Sequence, residues 1–361
     1  MKHSYLLAGT TFSKFTKMLL RNGFSLYPAY FLRLLFLLQN GIWASLFKWK
    51  EKRKNRAILN DFPVPANPLF IVGHWRTGST FLHQLLSLDN QLSAPTVFQV
   101  SIPDSFLVSR KYYEPVMSRM MGTYRPMDKV KIGFDEPQED EYALIKLAGG
   151  SPLEKLIFPD RDDYFLNNYS DFIPKNDHLI EWKREFNHFL KKLSFQSGKR
   201  LVLKNPFHSM RIPLLAEMFP DAVFIHIHRH PYAVVPSTQN MWNIVGKQNR
   251  LKRKWKEPEI EDVANLLDKM YEKVQADLKE LPESRWFEIR FEEFEKDPVS
   301  NLQKMYECLN LTFSDEYTAA LNEKLLQLKG HKKNKYVLSD EHKKLIREKL
   351  KKHFAYYNYE A

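Results

Sequence analysis

The sequence has a single cysteine, Cys308, among its 361 residues. One cysteine cannot form an intramolecular disulfide, and its isolation excludes a zinc site built from several cysteines. This scarcity is typical of a protein from a reducing compartment. Because Cys308 lies in the apolar helical stretch "MYECLNL", we interpret it as a core residue.

Long apolar runs are also lacking. The longest run without a charge near the N-terminus, Leu34 to Phe47, has 14 residues, and spanning a bilayer takes about 20. A cleavable signal peptide is excluded because the basic cluster follows the apolar stretch. Residues 1–60 are therefore predicted to form a helical arm. This arm either lies in a membrane interface or packs on its own domain or a second subunit.

Acidic residues are almost missing from the first sixty positions, which hold eleven Lys/Arg and one acid, Glu51. Residues 321–352 hold eleven Lys/Arg and four acids, so with a net charge of +12 the remaining chain is acidic overall. A nucleic-acid-binding protein more often carries its positive charge across the body of the fold. We therefore predict no nucleic-acid partner, but a surface for a membrane or polyanion together with a local anion site.

Strands alternate with helices along the rest of the chain. The predicted strands are Leu69–Val72, "RLVLK", "AVFIHIH" and the start of "RWFEIRFEEF", and amphipathic helical stretches lie between them. The pattern predicts an α/β fold with a central parallel sheet flanked by helices. The predicted organisation is an arm at 1–60 and one domain at 61–361, with a basic C-terminal helix at about 321–354.

The stretch "GHWRTGST", residues 73–80, has the frame of a phosphate-binding loop but lacks its lysine. The full pattern is G-x-x-x-x-G-K-[ST], and Ser79 stands where the lysine would be. The strong cation lies inside the loop instead, at Arg76. Because a strand precedes the loop and a helix follows it, the free N–H groups of the helix N-terminus suit an anion.

Three further stretches carry polar groups directly after strands or beside a helix. Ligands of parallel sheets bind at the carboxyl ends of the strands, which makes these groups candidates for one site. They are "HRHPYAVVPS" with Arg229 and Ser237, "LVLKNPFHS" with Lys204 and His208, and the acidic "DEPQEDEYALIKL" with Glu136, Glu139, Asp140 and Glu141.

Taken together, these stretches resemble the sulfotransferase family that uses 3′-phosphoadenosine 5′-phosphosulfate, and most closely its bacterial branch. The resemblance runs from about residue 67 to 312 and includes "FIVGHWRTGSTFL", "VLKNPFH", "PQEDEYAL", the R-x-P…S element and "EIRFEEFEKDPVSNLQKMYECLNL". It implies transfer of a sulfonyl group to a hydroxyl acceptor, with adenosine 3′,5′-bisphosphate as the product and no metal. It also explains the missing lysine, since no metal needs to bridge a β- and a γ-phosphate.

The resemblance implies a role for each matching residue. Arg76 would bind the 5′-phosphosulfate and stabilise charge on the leaving oxygen, and Lys204 would contact the sulfonyl or leaving group. The remaining cofactor-binding residues would be Thr77, Gly78, Ser79 and Thr80 at the 5′-phosphate, Arg229 and Ser237 at the 3′-phosphate, and Phe291 beside the adenine.

The general base stays open among three residues. The family uses Glu in some branches and His in others, so Glu139, Glu141 and His208 are the candidates. A helix starting near Pro137 would point the two glutamates to different sides. We interpret His83 as a packing residue. Lys332, Lys333 or Lys335 would add to the 3′-phosphate site, although the match to the family is poor there.

The acceptor is predicted to be a lipophilic, lipid-like or sterol-like small-molecule alcohol, because the segment between the loop and the acidic cluster is rich in aromatic and methionine side chains. A saccharide hydroxyl is the alternative, and a nucleotide kinase or ATPase on the same loop frame is a weaker one. We predict a cytoplasmic protein, peripheral on the inner face of the membrane, and leave its oligomeric state open. The aromatic and methionine side chains that favour a lipophilic acceptor are Phe98, Phe106, Tyr112, Tyr113, Met117, Met120, Met121, Tyr124 and Met127.

Overall fold

The computed structural model describes residues 6–23, 27–120, 133–148, 150–160, 167–328 and 336–360. The chain divides into two compact units. The arm unit comprises Met1–Pro65, Pro95–Gly198 and Ile244–Lys256, and the sheet unit comprises Ala66–Ala94, Lys199–Asn243 and Glu257–Ala361. This division differs from the predicted boundary at residue 60, because the arm shares a unit with residues 95–198.

The sheet unit contains a five-stranded parallel sheet, as predicted. Its strand order is β2-β5-β1-β6-β7, and a separate antiparallel pair, β3 and β4, lies in the arm unit. Strands β1 and β6 are buried along their whole length, as expected for a parallel sheet covered on both faces. The strands are β1 (Leu69–Val72), β2 (Leu92–Ser93), β3 (Tyr169–Ser170), β4 (Ile173–Pro174), β5 (Arg200–Lys204), β6 (Val223–His228) and β7 (Trp286–Arg290).

Helices account for most of the remaining described residues. In the arm unit they are Phe12–Arg21, Phe31–Asp61, Val97–Ser101, Phe106–Met120, Glu141–Leu147 and Asn176–Ser197. In the sheet unit they are Ser79–Leu86, Ile212–Met218, Pro231–Asn249 (assigned to the arm unit from Ile244 onward), Ile260–Lys279, Phe291–Lys296, Pro298–Cys308, Asp315–Leu328, Asp340–Lys349 and Lys351–Tyr356. Short 3₁₀ helices span Pro28–Tyr30, Pro152–Leu156, Pro206–Met210 and Glu283–Arg285.

The interpretation of Cys308 as a core residue is wrong, because its side chain is exposed. In the helix Pro298–Cys308 the buried side chains are Pro298, Leu302, Met305 and Tyr306. Tyr306 also donates a hydrogen bond to Asp89 Oδ2 at 2.7 Å. Position 308 lies two residues beyond Tyr306, on the far side of a helix with 3.6 residues per turn.

The C-terminal basic segment differs from the prediction of a single helix. Its described part comprises the end of the helix Asp315–Leu328 and two short helices, Asp340–Lys349 and Lys351–Tyr356, with a break at Leu350, where φ is −107° and ψ is 20°. Ile346, Leu350 and Phe354 pack in one cluster with apolar residues of the helix Ile260–Lys279. The break lets residues on both sides of Leu350 reach this shared core.

The predicted arm contains a 31-residue helix, Phe31–Asp61, which we call the arm helix. One of its faces packs within the arm unit, where Leu37 joins a core with Phe15 and Met18. This observation supports the packed-arm alternative for that face. Together with the preceding turn, the segment Pro28–Asp61 is also long and apolar enough to cross a membrane, although only 17% of its most apolar stretch is buried within the protein.

Candidate functional site

The 73–80 loop connects β1 to the helix Ser79–Leu86 and has an unusual backbone. Arg76 has a positive φ of 69°, and Gly73 and Gly78 have φ values of 149° and 98°. Alternation of right- and left-handed residues turns successive N–H groups toward one side, and such concavities bind anions. A non-glycine residue with positive φ is uncommon, and such strain clusters at functional positions.

Position 78 requires glycine both because of its positive φ and because of close contacts with neighbouring atoms. A Cβ atom there would lie 2.1 Å from Phe291 Cδ2, well inside van der Waals contact. At Gly73 a Cβ atom would lie 2.4 Å from the carbonyl oxygen of Ile227 on β6. The two glycines therefore let the loop lie directly against β6 and Phe291.

We expect Gly78→Ala to destabilise the sheet unit and to remove anion binding by the loop. The positive φ and the overlap with Phe291 together should cost about 1–3 kcal/mol. Thermal unfolding with and without adenosine 3′,5′-bisphosphate measures both effects. Gly198→Ala is the matched control, since Gly198 has a φ of +66° but nothing within 4 Å of an added Cβ atom. Equal behaviour of the two variants would contradict the importance of the Phe291 contact.

Three hydroxyl groups hold the loop backbone. Thr77 Oγ1 donates to the carbonyl of His74 at 2.8 Å, and Thr238 Oγ1 donates to the carbonyl of Trp75 at 3.2 Å. Ser209 Oγ accepts a hydrogen bond from Gly73 N at 2.8 Å and lies 3.2 Å from its carbonyl oxygen. Thr238 and Ser209 were missed in the sequence, although Ser209 closes the "NPFHS" phrase. They act on the loop from other elements of the sheet unit.

Arg76 and Arg229 lie together at the loop. Arg76 Nε donates to Ser237 Oγ at 2.8 Å, and Arg229 Nη1 lies 3.5 Å from the carbonyl oxygen of Arg76. The structure thus brings together three residues that the sequence divided between a 5′- and a 3′-phosphate site. The result is compatible with one ligand, because both phosphates of the predicted nucleotide are attached to a single ribose.

Arg229 is positioned from several sides. Its guanidinium lies 4.4 Å from the ring centroid of Phe291, and its backbone N and O lie 3.4 and 3.3 Å from the hydroxyl of Tyr271. Burial lowers the pKa of Arg229 below its ordinary value, a shift that Glu292 opposes and the Arg76 charge enhances. Because the positive charges of Arg76 and Arg229 repel each other, a phosphate dianion bound beside them would be strongly stabilised.

Lys204, at the end of β5, is 3% exposed and its Nζ lies 3.4 Å from Thr80 Oγ1. This places the lysine at the C-terminal end of the 73–80 loop, as its predicted role requires. His83 is buried nearby, and burial together with the charge of Lys204 lowers its pKa to about 3. A His83 that is neutral near neutral pH agrees with the packing interpretation.

His208 is fully buried in the 3₁₀ helix Pro206–Met210, with its ring edge against Phe70 of β1 at 5.4 Å between centroids. Asn205 caps this turn, since its Oδ1 accepts from Phe207 N at 3.0 Å. The ring contact with Phe70 is one of the interactions that hold His208 in the core. Its assignment as a base stays a prediction.

The two candidate glutamates belong to the arm unit. The helix begins at Glu141 rather than near Pro137, and Pro137 instead bridges to Thr96. Glu141 is fully buried and accepts a hydrogen bond from Ser151 Oγ at 2.5 Å, whereas the Glu139 side chain is partly exposed. The two side chains therefore have different environments, although the reason differs from the prediction, because Glu139 precedes the helix instead of lying on it.

Some predicted residues lie in the core or outside the described part of the chain. Phe98 and Phe106 are each 2% exposed and pack as core residues, while Tyr112 is 44% exposed. Met121, Tyr124, Met127, Lys332, Lys333 and Lys335 lie outside the described residues. Within the described part, no group of three or more His, Cys, Asp or Glu side chains is arranged to hold a metal ion.

The end of the chain also contacts the strand that leads to Arg229, a feature the sequence did not reveal. Tyr359 OH lies 2.8 Å from His228 Nδ1, and the ring of Tyr357 stacks on His228 with centroids 3.8 Å apart. Burial lowers the pKa of His228 to about 3, so this imidazole is neutral. The neutral ring, together with Tyr271, fixes the exit of β6 at Arg229.

Comparison with known proteins agrees with this geometry. Residues 68–315 match the sulfotransferase family, so the chain belongs to that family and is a sulfotransferase. It is 30% identical over 345 residues to omega-hydroxy-beta-dihydromenaquinone-9 sulfotransferase Stf3 of Mycobacterium bovis. The match covers 95% of this chain and 88% of that protein, and the Mycobacterium tuberculosis protein of the same name gives the same values.

Two crystal structures share the fold. Sulfotransferase STF9 from Mycobacterium avium has a TM-score of 0.67 and 18% identity, with 87% of this chain and 82% of that chain covered. Sulfotransferase STF1 from Mycobacterium tuberculosis has a TM-score of 0.60 and 18% identity, with 95% and 87% covered. The predicted α/β fold with a central parallel sheet is therefore confirmed.

Proposed function

We propose that this sulfotransferase takes its sulfonyl group from 3′-phosphoadenosine 5′-phosphosulfate and transfers it to the hydroxyl of a lipophilic alcohol. The observation that carries the choice of donor is the cluster of Arg76, Arg229 and Ser237 beside the 73–80 loop. Two guanidinium groups and a hydroxyl suit a nucleotide with phosphates at both ends of one ribose. A loop without the Walker lysine is a poor match for ATP.

In the proposed reaction the acceptor oxygen attacks the sulfur in line with the leaving group. The S–O bond to the 5′-phosphate breaks, adenosine 3′,5′-bisphosphate leaves, and the acceptor proton passes to a base. Negative charge grows on the former bridging oxygen, and Arg76 and Lys204 are the cations at the loop that would stabilise it. Arg76 suits this role because it stays protonated and can contact two oxygens at once.

We propose that the backbone N–H groups and hydroxyls of Thr77–Thr80 bind the 5′-phosphate at the helix N-terminus. Arg229 and Ser237 would bind the 3′-phosphate. Phe291 is 5% exposed and already supports Arg229, so its contribution to adenine binding is confined to the small surface that it offers. No metal is part of this proposal.

For the base we propose a carboxylate of the acidic segment, with Glu139 ahead of Glu141. A general base must come within hydrogen-bond reach of the acceptor hydroxyl. Glu139 has a partly exposed side chain, whereas Glu141 is buried against Ser151 and His208 is buried against Phe70.

We propose a lipophilic acceptor on two grounds. The relative with 30% identity is named for action on a menaquinone, which is a lipid. The arm helix also exposes large apolar side chains, among them Trp43 and Trp49. A lipid-like acceptor implies a cytoplasmic enzyme working at the inner face of the membrane as a peripheral protein.

The proposal is tested by incubating the purified protein with sulfonyl donor and a panel of prenyl alcohols, sterols and saccharides, and then measuring products by mass. We expect the added mass of one SO₃ group on a lipophilic alcohol, without added metal. Products on saccharides alone would overturn the acceptor class, and turnover with ATP and Mg²⁺ alone would overturn the donor.

Glu139→Gln is expected to lower kcat by about 10²- to 10⁴-fold, because it removes the proton acceptor and little volume. His208→Asn is the matched comparison, and it should lower thermal stability through lost packing on Phe70 while retaining most of kcat. Steady-state kinetics with the best acceptor, beside thermal unfolding, separates these outcomes. Full turnover in Glu139→Gln would exclude this residue as the base.

A further inference from the structure

The arm helix has a buried face and an exposed apolar face on opposite sides. Its buried residues are Leu37, Gly41, Ala44, Glu51, Asn55 and Leu59. Its exposed large apolar residues before the basic cluster are Phe31, Leu32, Leu35, Ile42, Trp43, Leu46 and Trp49. At 3.6 residues per turn, the exposed set spans about 120° of the helix and lies roughly opposite to the buried set.

The buried face is fastened to the arm unit along its length. Near the middle of the helix, Ser45 Oγ accepts from Phe12 N at 3.0 Å. Further along, Glu51 pairs with Lys192, and both side chains are almost fully buried. Glu51 also accepts from Leu107 N at 2.9 Å. Pulling this face away from the protein would leave the buried Lys192 without its Glu51 partner, which is strongly unfavourable.

The exposed face extends for about 27 Å along the helix, from Phe31 to Trp49, and Gln39 is the one polar side chain among its described apolar residues. Trp43 and Trp49 are 54% and 61% exposed, and Leu32 is 79% exposed. A row of this size is unusual on a soluble surface and is typical of an interaction site. Indole rings prefer the boundary between lipid headgroups and hydrocarbon.

The charge that follows indicates which partner fits this face. The exposed Lys50, Arg53, Lys54 and Arg56 continue the same helix beyond Trp49. The Arg53 guanidinium lies 5.6 Å from the ring centroid of Trp49. A surface groove of about 680 Å³ lies here, lined by Trp49, Lys52, Arg53, Arg56, Ala57 and Asn60. Cations beside an indole suit the phosphate headgroups of an anionic lipid leaflet.

We propose that the exposed face of the arm helix docks on an anionic lipid surface with the helix lying in the interface. The face from Phe31 to Trp49 enters the headgroup boundary, and Lys50, Arg53, Lys54 and Arg56 bind lipid phosphates. The opposite face stays attached to the arm unit. This inference names a partner for the lipid-sulfating enzyme proposed above, but it rests on the arm helix alone.

The test is co-sedimentation of the full-length protein with vesicles of phosphatidylcholine, alone or mixed with an equal part of phosphatidylglycerol. We expect binding to the mixed vesicles, and a fall of about tenfold or more in the vesicle partition coefficient of Trp43→Ser/Trp49→Ser, because less apolar area leaves water. Arg53→Glu/Lys54→Glu should bind the anionic mixture more weakly than wild type does and bind phosphatidylcholine alone equally well. High salt should remove this difference, because it screens the charges of wild type and variant alike.

Matched controls come from exposed residues elsewhere in the described chain. Ile180→Ser/Leu326→Ser removes two side chains that are 67% and 61% exposed, and Lys344→Glu reverses an exposed charge; all should bind like wild type. Activity on a water-soluble alcohol should be unchanged in every variant, which separates this inference from the proposed function.

Three results would overturn the inference. The first is equal vesicle binding by wild type and Trp43→Ser/Trp49→Ser. The second is a wild-type dimer in sedimentation analysis without lipid, together with a monomeric Trp43→Ser/Trp49→Ser variant. That result would mean that the face binds a second copy of the chain. The third is a bound fraction that resists alkaline carbonate extraction, which would indicate a helix that crosses the bilayer.

Discussion

Replacing Arg229 with alanine is expected to raise the Kd for adenosine 3′,5′-bisphosphate by about 10- to 100-fold, since hydrogen bonds to charged groups contribute about 1.5–3 kcal/mol. The expected effect is large because Arg229 lies beside the carbonyl of Arg76 and over Phe291, within the same cluster as Ser237. Titration calorimetry at fixed ionic strength measures the loss. Arg229→Lys should recover only part of the affinity, because an ammonium lacks the planar fork of the guanidinium.

The control is Arg285→Ala in the same unit. Arg285 donates to the carbonyl oxygens of Ala222 and Phe219, away from the loop, so its removal should change stability and leave nucleotide affinity intact. Equal losses of affinity in Arg229→Ala and Arg285→Ala would mean that the effect comes from the fold rather than from a phosphate contact.

The second large effect is expected at Arg76. Arg76→Asn should lower kcat by about 10²- to 10³-fold at saturating donor, the usual cost of losing one group that stabilises transition-state charge. Asparagine is chosen because it tolerates the left-handed region, and Arg76 has a φ of 69°. The substitution therefore removes the charge while adding little backbone strain.

Arg76→Lys provides the matched comparison. A lysine restores positive charge in the loop, so it should recover part of the lost kcat but not the hydrogen bond that Arg76 Nε donates to Ser237. Thermal unfolding should show both variants within a few degrees of wild type. An Arg76→Asn enzyme with wild-type kcat would remove Arg76 from the reaction.

The sheet and its loop were predictable because their signals are local. Buried parallel strands appear as short apolar runs, and β1 and β5 have the predicted bounds. The loop between β1 and the helix Ser79–Leu86 was predicted from the spacing of Gly73 and Gly78. Lys204 and Arg229 could be placed near it because Lys204 ends β5 and Arg229 follows β6, and the carboxyl ends of these strands meet at one edge of the sheet.

Contacts between distant parts of the chain were not predictable in the same way. The hydroxyl of Tyr271, on the helix Ile260–Lys279, donates to the backbone carbonyl of Arg229. From the sequence alone, Tyr271 would be predicted only as one of the buried side chains of this helix. The break at Leu350 carries no glycine or proline, so periodicity alone favours a continuous helix there. The exposed Cys308 shows that a largely apolar stretch does not decide which side of a helix faces the core.

The arm helix illustrates a limit of apolar patterns. Apolar residues lie on two opposite sides of this helix, so the sequence pattern does not single out one apolar side and could not choose between packing and membrane contact. The structure assigns the face of Leu37 and Ala44 to the protein and leaves Trp43 and Trp49 exposed. The two alternatives are therefore compatible, each applying to a different side of one helix.

The most direct measurement for the whole account is a crystal structure of the protein with adenosine 3′,5′-bisphosphate. We predict one phosphate within hydrogen-bond distance of Arg229 and Ser237, and the other on the N–H groups of Gly78, Ser79 and Thr80 beside Lys204. Nucleotide bound away from both the 73–80 loop and Arg229 would contradict the account.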